Sequence, residues 1–240
     1  MKNFILAVTL LCMPFMANAQ KEVGKFSIQP KVGINVSGLT GNPEVEAIVA
    51  MTKPLPSGEL TGPDDLPKQI SIMFNDAKNK VGFVVGAEAE YQASRIFALS
   101  AGILYSMQGA EFSAYHSDNM DITDVKMKLG YINIPIIANY YVAKGLALRA
   151  GLQPGLCVSK DAKANLSARV EEGQYVAGAM SKPDVSTLDL SVPVGISYEY
   201  KGVTVGATYN IGVTNISGDS RKPSFRNNVF QFTLGYKIGI

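Results

Sequence analysis

The sequence predicts an all-β chain, an eight-stranded antiparallel up-and-down transmembrane β-barrel preceded by a cleavable signal peptide. Three observations carry that expectation. Lys2 and the apolar run from Phe4 to Phe15 lead into Met16-Ala17-Asn18-Ala19-Gln20, the pattern of a secretory leader. No later stretch approaches the ~20 consecutive apolar residues of a transmembrane helix, so a membrane crossing would have to be made by strands. From Phe26 onward the chain resolves into eight segments that alternate apolar and polar residues with a period of two.

The leader comes first. Its Ala17-x-Ala19 ending places cleavage after Ala19 and divides the chain into residues 1–19, the signal peptide, and 20–240, the barrel domain. The apolar run is too short to span, and Leu10-Leu11 before Cys12 lack the small residue of a lipoprotein site. Cleavage leaves Cys157 as the one cysteine, so no intramolecular disulfide can form although the compartment would permit one.

The first segment sets Phe26, Ile28, Pro30, Val32, Ile34 and Val36 on one face, and the second sets Val81, Phe83, Val85, Ala87, Ala89 and Tyr91. Four apolar faces follow, from Phe97 to Met107, Ile132 to Val142, Leu146 to Leu156 and Leu188 to Tyr200. Val203 to Val213 and Phe230 to Ile240 complete the set. None of these faces carries a charge, and each segment has about the ~9–11 residues that a tilted strand needs to cross the hydrocarbon layer.

Connections alternate as well. Long ones, 37–80, 109–128, 159–187 and 217–228, take turns with tight ones at Ser94-Arg95, Lys144-Gly145 and Lys201-Gly202. Outer-membrane barrels have short periplasmic turns and long outer loops, which places both termini in the periplasm of a Gram-negative bacterium. Aromatics sort by depth toward the two boundaries, with Tyr209 the one mid-depth exception. A soluble lipocalin-like barrel would need a water-facing exterior rich in Lys and Glu; the polar faces here are Gly-rich and thinly charged. Pro30, Pro135, Pro154 and Pro193 fall inside strands, each removing a ladder donor, and bulges are expected there.

The polar faces carry Lys31, Glu88, Glu90, Arg149, Asp189, Glu199 and Lys237. An eight-stranded barrel is only just wide enough for its own side chains, so these groups are expected to plug the lumen and to pair. Lys31 or Lys237 is expected opposite Glu88 or Glu90, Arg149 opposite Glu199, and Asp189 near the outer mouth.

The chain resembles the PorT-like outer-membrane β-barrel family of Bacteroidetes, itself similar in architecture to the small OmpA and OmpX barrels. The likeness runs from Gln29 to Ile240. It rests on Pro30-Lys31-Val32-Gly33-Ile34-Asn35, Gly130-Tyr131-Ile132-Asn133-Ile134-Pro135, Arg149-Ala150-Gly151-Leu152-Gln153-Pro154-Gly155 and the closing Leu234-Gly235-Tyr236. The resemblance implies an outer-membrane location and identifies the barrel better than its task.

Chemistry is sparse. His116 is the one histidine, beside Tyr115, Ser117 and Asp118, too little for a nucleophile with its base and read as a solvated loop residue. One histidine and Cys157 do not make a zinc set. Asn35-Val36-Ser37, Asn165-Leu166-Ser167 and Asn215-Ile216-Ser217 match a glycan acceptor pattern that belongs to another secretory route. No phosphate-binding glycine motif occurs, so no cofactor is expected, and a net charge of +2 argues against nucleic acid as a partner.

The expected role is therefore non-enzymatic: binding, adhesion or structure through the extracellular loops 37–80, 109–128 and 159–187, with outer-membrane lipid around the wall. A lipid-modifying enzyme and a small channel are the alternatives. In the first loop Val45, Ile48, Val49 and Met51 follow Pro43-Glu44 at near-helical spacing, and Ile70, Ile72, Met73 and Phe74 precede the second strand.

Overall fold

The computed structural model describes residues 22–41, 44–52, 68–73, 77–112, 115–117, 120–168, 175–180, 184–218 and 224–240. The expected signal peptide lies outside them. Fourteen strands are described: β1 (Phe26–Gly41), β2 (Glu44–Thr52), β3 (Lys68–Met73), β4 (Ala77–Ser94), β5 (Phe97–Phe112), β6 (Tyr115–Ser117), β7 (Met120–Asn133), β8 (Ile136–Ala143), β9 (Leu146–Ala168), β10 (Tyr175–Met180), β11 (Leu188–Tyr200), β12 (Val203–Gly212), β13 (Phe225–Tyr236) and β14 (Ile238–Gly239).

Eight of the wall positions close into one antiparallel ring, in the order β1, β4, β5, β7 with β8, β9, β11, β12, β13. Closure is made by β1 against β13, with Val36 opposite Phe230. β7 and β8 are two halves of one crossing, and β14 continues β13 against β1. At one end the strands are joined by two-residue turns. Lys201 and Gly202 both have positive φ, 49° and 84°, the conformation of a type I′ hairpin turn whose twist matches the strands it joins. Both described ends of the chain lie at this end, where the Ile240 amide donates to the Phe26 carbonyl at 2.9 Å.

The prolines correct one expectation: no bulge accompanies them. Across Pro135 the wall strand β5 keeps one register, from Leu104 opposite Asn133 to Ala101 opposite Ile136. Pro193 sits where the β9–β11 ladder skips from Ser191 to Val194 without a shift, and Pro30 falls between the β14 and β13 pairings of β1. A proline removes only its own donor and keeps its acceptor. Gly102 still donates to the Pro135 carbonyl at 3.1 Å, and Ile134 to that of Pro154 at 2.8 Å. The register shifts lie elsewhere, for example between Gly130 and Tyr131.

Long connections are also corrected. Much of 37–80, 109–128 and 159–187 is strand: β1 runs on to Gly41, β4 starts at Ala77, β5 and β7 extend beyond the membrane segment, and β9 reaches Ala168. Val45, Ile48, Val49 and Met51, spaced as if for a helix, belong to β2, in a separate sheet ordered β10-β2-β3. The β-branched Val45, Ile48 and Val49 favour extended backbone, and ladders form on both edges, with β3, Val45 opposite Ile72, and with β10 of the third long connection, Ala177 opposite Ala50. Phe74 lies outside the described residues.

Alternation is inside out through the middle of the wall. Val32, Ile34, Ile103, Leu152 and Phe232 are exposed, whereas Asn35, Ser106 and Asn139 are no more than 2% exposed. That arrangement would be ruinous in water and is what a lipid-facing barrel requires. Aromatics ring the wall: Phe26 packs on Tyr91 near the turns with centroids 4.7 Å apart, and Phe83 on Tyr105 toward the other end at 5.8 Å. Tyr209 stands opposite Phe230, centroids 6.4 Å apart, so it belongs to the far aromatic group and is no mid-depth exception.

Beyond that group the phase reverses. On β7, Val125, Met127, Leu129 and Tyr131 point inward and are buried, while Lys126 and Lys128 point outward and are exposed. With Leu39, Ala110, Phe112, Cys157, Val185, Ile216 and Phe225 they form one apolar core inside the barrel's upper storey. The barrel thus continues past its lipid-facing belt as an extension built like a water-soluble protein.

Candidate functional site

The interior is layered. Nearest the turns lies a charged layer on adjacent and facing strands. Alternation turns Glu88 and Glu90 of β4, Lys31 of β1 and Arg149 of β9 inward, so their charges meet across the lumen. Glu88 Oε2 accepts from Lys31 Nζ at 2.5 Å and from Arg149 Nη2 at 2.6 Å. Arg149 Nε also donates to Asn139 Oδ1 at 3.0 Å. Lys237 Nζ bridges Glu90 Oε1 and Glu199 Oε2, each at 2.8 Å, and the Tyr141 hydroxyl donates to Glu90 Oε1 at 2.8 Å. Three bases and three acids are thereby held together at one level, as burial of charge requires.

Arg149, expected opposite Glu199, is bonded to Glu88, and Glu199 takes Lys237. The reason is curvature: β4 and β9 are separated in the wall by β5 and β8, so this contact crosses the lumen and no neighbouring register reveals it. Asp189 stands apart from the six, buried and accepting from Thr214 Oγ1 at 2.9 Å.

A neutral polar layer fills the middle. Asn35 Nδ2 and Gln108 Nε2 both donate to Ser106 Oγ at 2.9 Å, and Asn227 Nδ2 donates to Gln108 Oε1 at 2.5 Å. Cavities of about 10 Å³ remain beside the charged layer and beside Asp189, each with room for roughly one water. Above them sits the apolar core, a layer that the sequence reading did not foresee. Lys80 is turned into it and donates Nζ to the Met127 carbonyl at 2.8 Å. Its signal in the sequence was the second apolar parity on β7, where Val125, Met127, Leu129 and Tyr131 precede Ile132.

At the turn end the lumen opens into a vestibule of about 670 Å³, lined among others by Lys25, Gln92, Tyr236 and Ile240, with Glu90, Glu199 and Lys237 as its floor. His116 lies on β6, its backbone opposite Asp121. Among the described residues no three His, Cys, Asp or Glu side chains are placed to hold a metal ion. The arrangement of the interior side chains fills and braces the lumen.

A family of outer membrane protein beta-barrel domains matches residues 18–218. No curated protein matches the chain in sequence. Among solved structures it is similar to Ail, the attachment invasion locus protein of Yersinia pestis, in complex with the heparin analogue sucrose octasulfate, at 13% identity and a TM-score of 0.43, covering 90% of this chain and 100% of that one. Neisserial surface protein A is similar at 15% identity and a TM-score of 0.40, over 89% and 97% of the two chains. OprG of Pseudomonas aeruginosa is similar at 10% identity and a TM-score of 0.37, over 92% and 99%.

Proposed function

Because this chain belongs to the outer membrane protein beta-barrel domain family, we propose that it is a closed outer-membrane barrel that binds an extracellular or membrane partner through the elements at its long-strand end. One observation carries the reading. The wall does not stop at its apolar belt; it continues as an extension with its own apolar core, while a further sheet, β10-β2-β3, joins the first and third long connections by backbone pairing. A barrel that only needed to sit in lipid would have no use for either, and loops of this length are commonly functional. In this reading the short turns and both termini face the periplasm, the signal peptide 1–19 is removed before Gln20, and the finer kinship is with PorT-like barrels of Bacteroidetes, supported by the Gly130–Pro135 and Arg149–Gly155 segments.

The layered lumen argues against conduction, since charged, neutral and apolar side chains occupy it in succession. In a planar bilayer the reconstituted protein is expected to give no stable conductance. Deleting Glu44 to Gln69 should leave the heat-modifiable barrel intact and abolish cell attachment to the partner surface. A deletion strain with every phenotype of its parent, together with loss of lipid-modifying activity in His116→Ala, would establish the enzyme alternative instead.

A further inference from the structure

Among the described residues, the outward lysines of the extension collect on one side. Lys126 of β7 stands directly opposite Lys163 of β9, with both side chains exposed. Lys128 follows on the same face of β7, opposite Asp161, and Lys78 lies across Glu111, whose other neighbour in register is Lys126. Like charges directly opposite on an antiparallel pair are destabilising. Packing does not demand this one, because Lys126 and Lys163 point away from the core of Val125, Met127 and Leu129. Across the barrel, the paired outward positions Thr40 and Arg226 bring a single base.

Height narrows the explanation. On β7 the apolar belt ends at Ile132, and Lys128 and Lys126 lie four and six residues beyond it. At ~3.3 Å per residue and a tilt near ~40° those steps rise roughly 10 and 15 Å along the membrane normal. The polar headgroup layer occupies about 5–8 Å next to the hydrocarbon. A lysine stem can lean back by ~6 Å, which brings the Lys128 ammonium into the headgroup layer and those of Lys126 and the level Lys163 to its outer margin, where the sugar headgroup of a glycolipid projects beyond that of a phospholipid.

We propose that Lys126, Lys128 and Lys163 form a binding site for the phosphorylated headgroup of an outer-leaflet glycolipid. Phosphate oxygens between Lys126 and Lys163 would cancel their repulsion, and the ammonium groups act as point charges toward the phosphate. A lipid is the occupant because the site rises from the belt on the same strands, with Tyr105 packed on Phe83 below it. The site rests on the proposed orientation, with the extension outside.

The test uses the full-length barrel in a neutral detergent, with lipid A as the phosphorylated glycolipid, phosphatidylcholine as the neutral comparison, and native mass spectrometry as the readout. The native protein should retain lipid A, and K126Q/K163Q should retain at least about tenfold less, with phosphatidylcholine adducts unchanged. R95Q/K144Q/K201Q, in the tight turns, should behave as native. Lipid A should raise the melting temperature of the native protein and leave that of K126Q/K163Q unmoved; without lipid the variant should melt no lower than the native chain. Unchanged lipid A retention in K126Q/K163Q, or a loss only of binding to a soluble sulfated polysaccharide, would overturn the site. Orientation is read separately: the Asn79→Cys variant, whose position is exposed on the extension, should react with an impermeant maleimide on intact cells. Reaction only after permeabilisation would overturn the orientation and, with it, the outer-leaflet assignment.

Discussion

Glu88→Gln is the sharpest probe of the lumen. Glu88 is 5% exposed, and one of its oxygens takes both Lys31, at 2.5 Å, and Arg149, at 2.6 Å. Glutamine keeps the shape and removes the charge, so two buried cations lose their common acid. Removing one partner of a buried pair costs about 3–5 kcal/mol. Glu90 lies two residues along β4, though its Oε1 already serves Lys237 and Tyr141; it can absorb part of the imbalance, which puts the expected loss near ~3 kcal/mol, about 150-fold in the folding equilibrium. In Glu88→Gln/Lys31→Met one orphaned cation leaves with the acid and Arg149 keeps Asn139, so at least ~1.5 kcal/mol should return as coupling. The assay is urea unfolding in phospholipid vesicles, followed by tyrosine fluorescence, since the chain has no tryptophan, and by the heat-modifiable gel shift. A loss below ~0.5 kcal/mol for Glu88→Gln, with Lys31→Met equally costly in both backgrounds, would mean that the layer is solvated like bulk water and would refute the argument from a closed lumen.

Other consequences are testable in the same system. Leu129 is fully buried in the apolar core, so Leu129→Ala should cost about 2–5 kcal/mol in urea unfolding. Gly109 has φ +138°, and a Cβ there would lie 2.1 Å from the Met127 carbonyl oxygen; Gly109→Ala should lower stability by at least ~2 kcal/mol, whereas Gly239→Ala, with nothing within 4 Å, should match the native protein. Cys157 is 6% exposed within the upper core, so maleimide should label it negligibly in the folded barrel and fully in urea.

The wall was legible because lipid and lumen impose opposite demands on alternate residues. Leu146 to Leu156 and Leu188 to Tyr200 keep one parity for the whole crossing, and parity alone fixes which way each side chain turns. Legibility failed where parity changed meaning. On β7, Tyr131 and Ile132 are both apolar, one facing in and one facing out; a reading that demands one apolar face starts the strand at Ile132, consigns Val125 and Met127 to a loop and leaves Leu129 unassigned. β2 was misjudged for a related reason: over a few residues, Val45, Ile48 and Val49 satisfy a helical spacing, and the ladders that make it a strand come from elsewhere, β3 on one edge and, about 125 residues further along, β10 on the other. Of the candidate site, membership was readable and partnership only in part. Lys31 with Glu88 follows from adjacent strands, whereas Arg149 with Glu88 depends on how tightly the ring closes.

The reversal of phase along β7 and its neighbours means that one chain is subject to two opposite rules of substitution. Below the boundary, a lysine replacing Ile103 on the outer face would meet hydrocarbon and cost about 2–4 kcal/mol, while small polar exchanges among the inward Ser and Thr positions would pass with little effect. Above it, folding tolerates almost any hydrophilic residue at the outward positions, and a single charge in place of Leu129 would wreck the core. Sequences drifting from this one should therefore exchange hydrophilic residues on opposite faces of the same strand, outward in the upper storey apart from the lysine site and inward in the lower apart from the charged layer, and the residue at which that face changes sides marks the edge of the hydrocarbon.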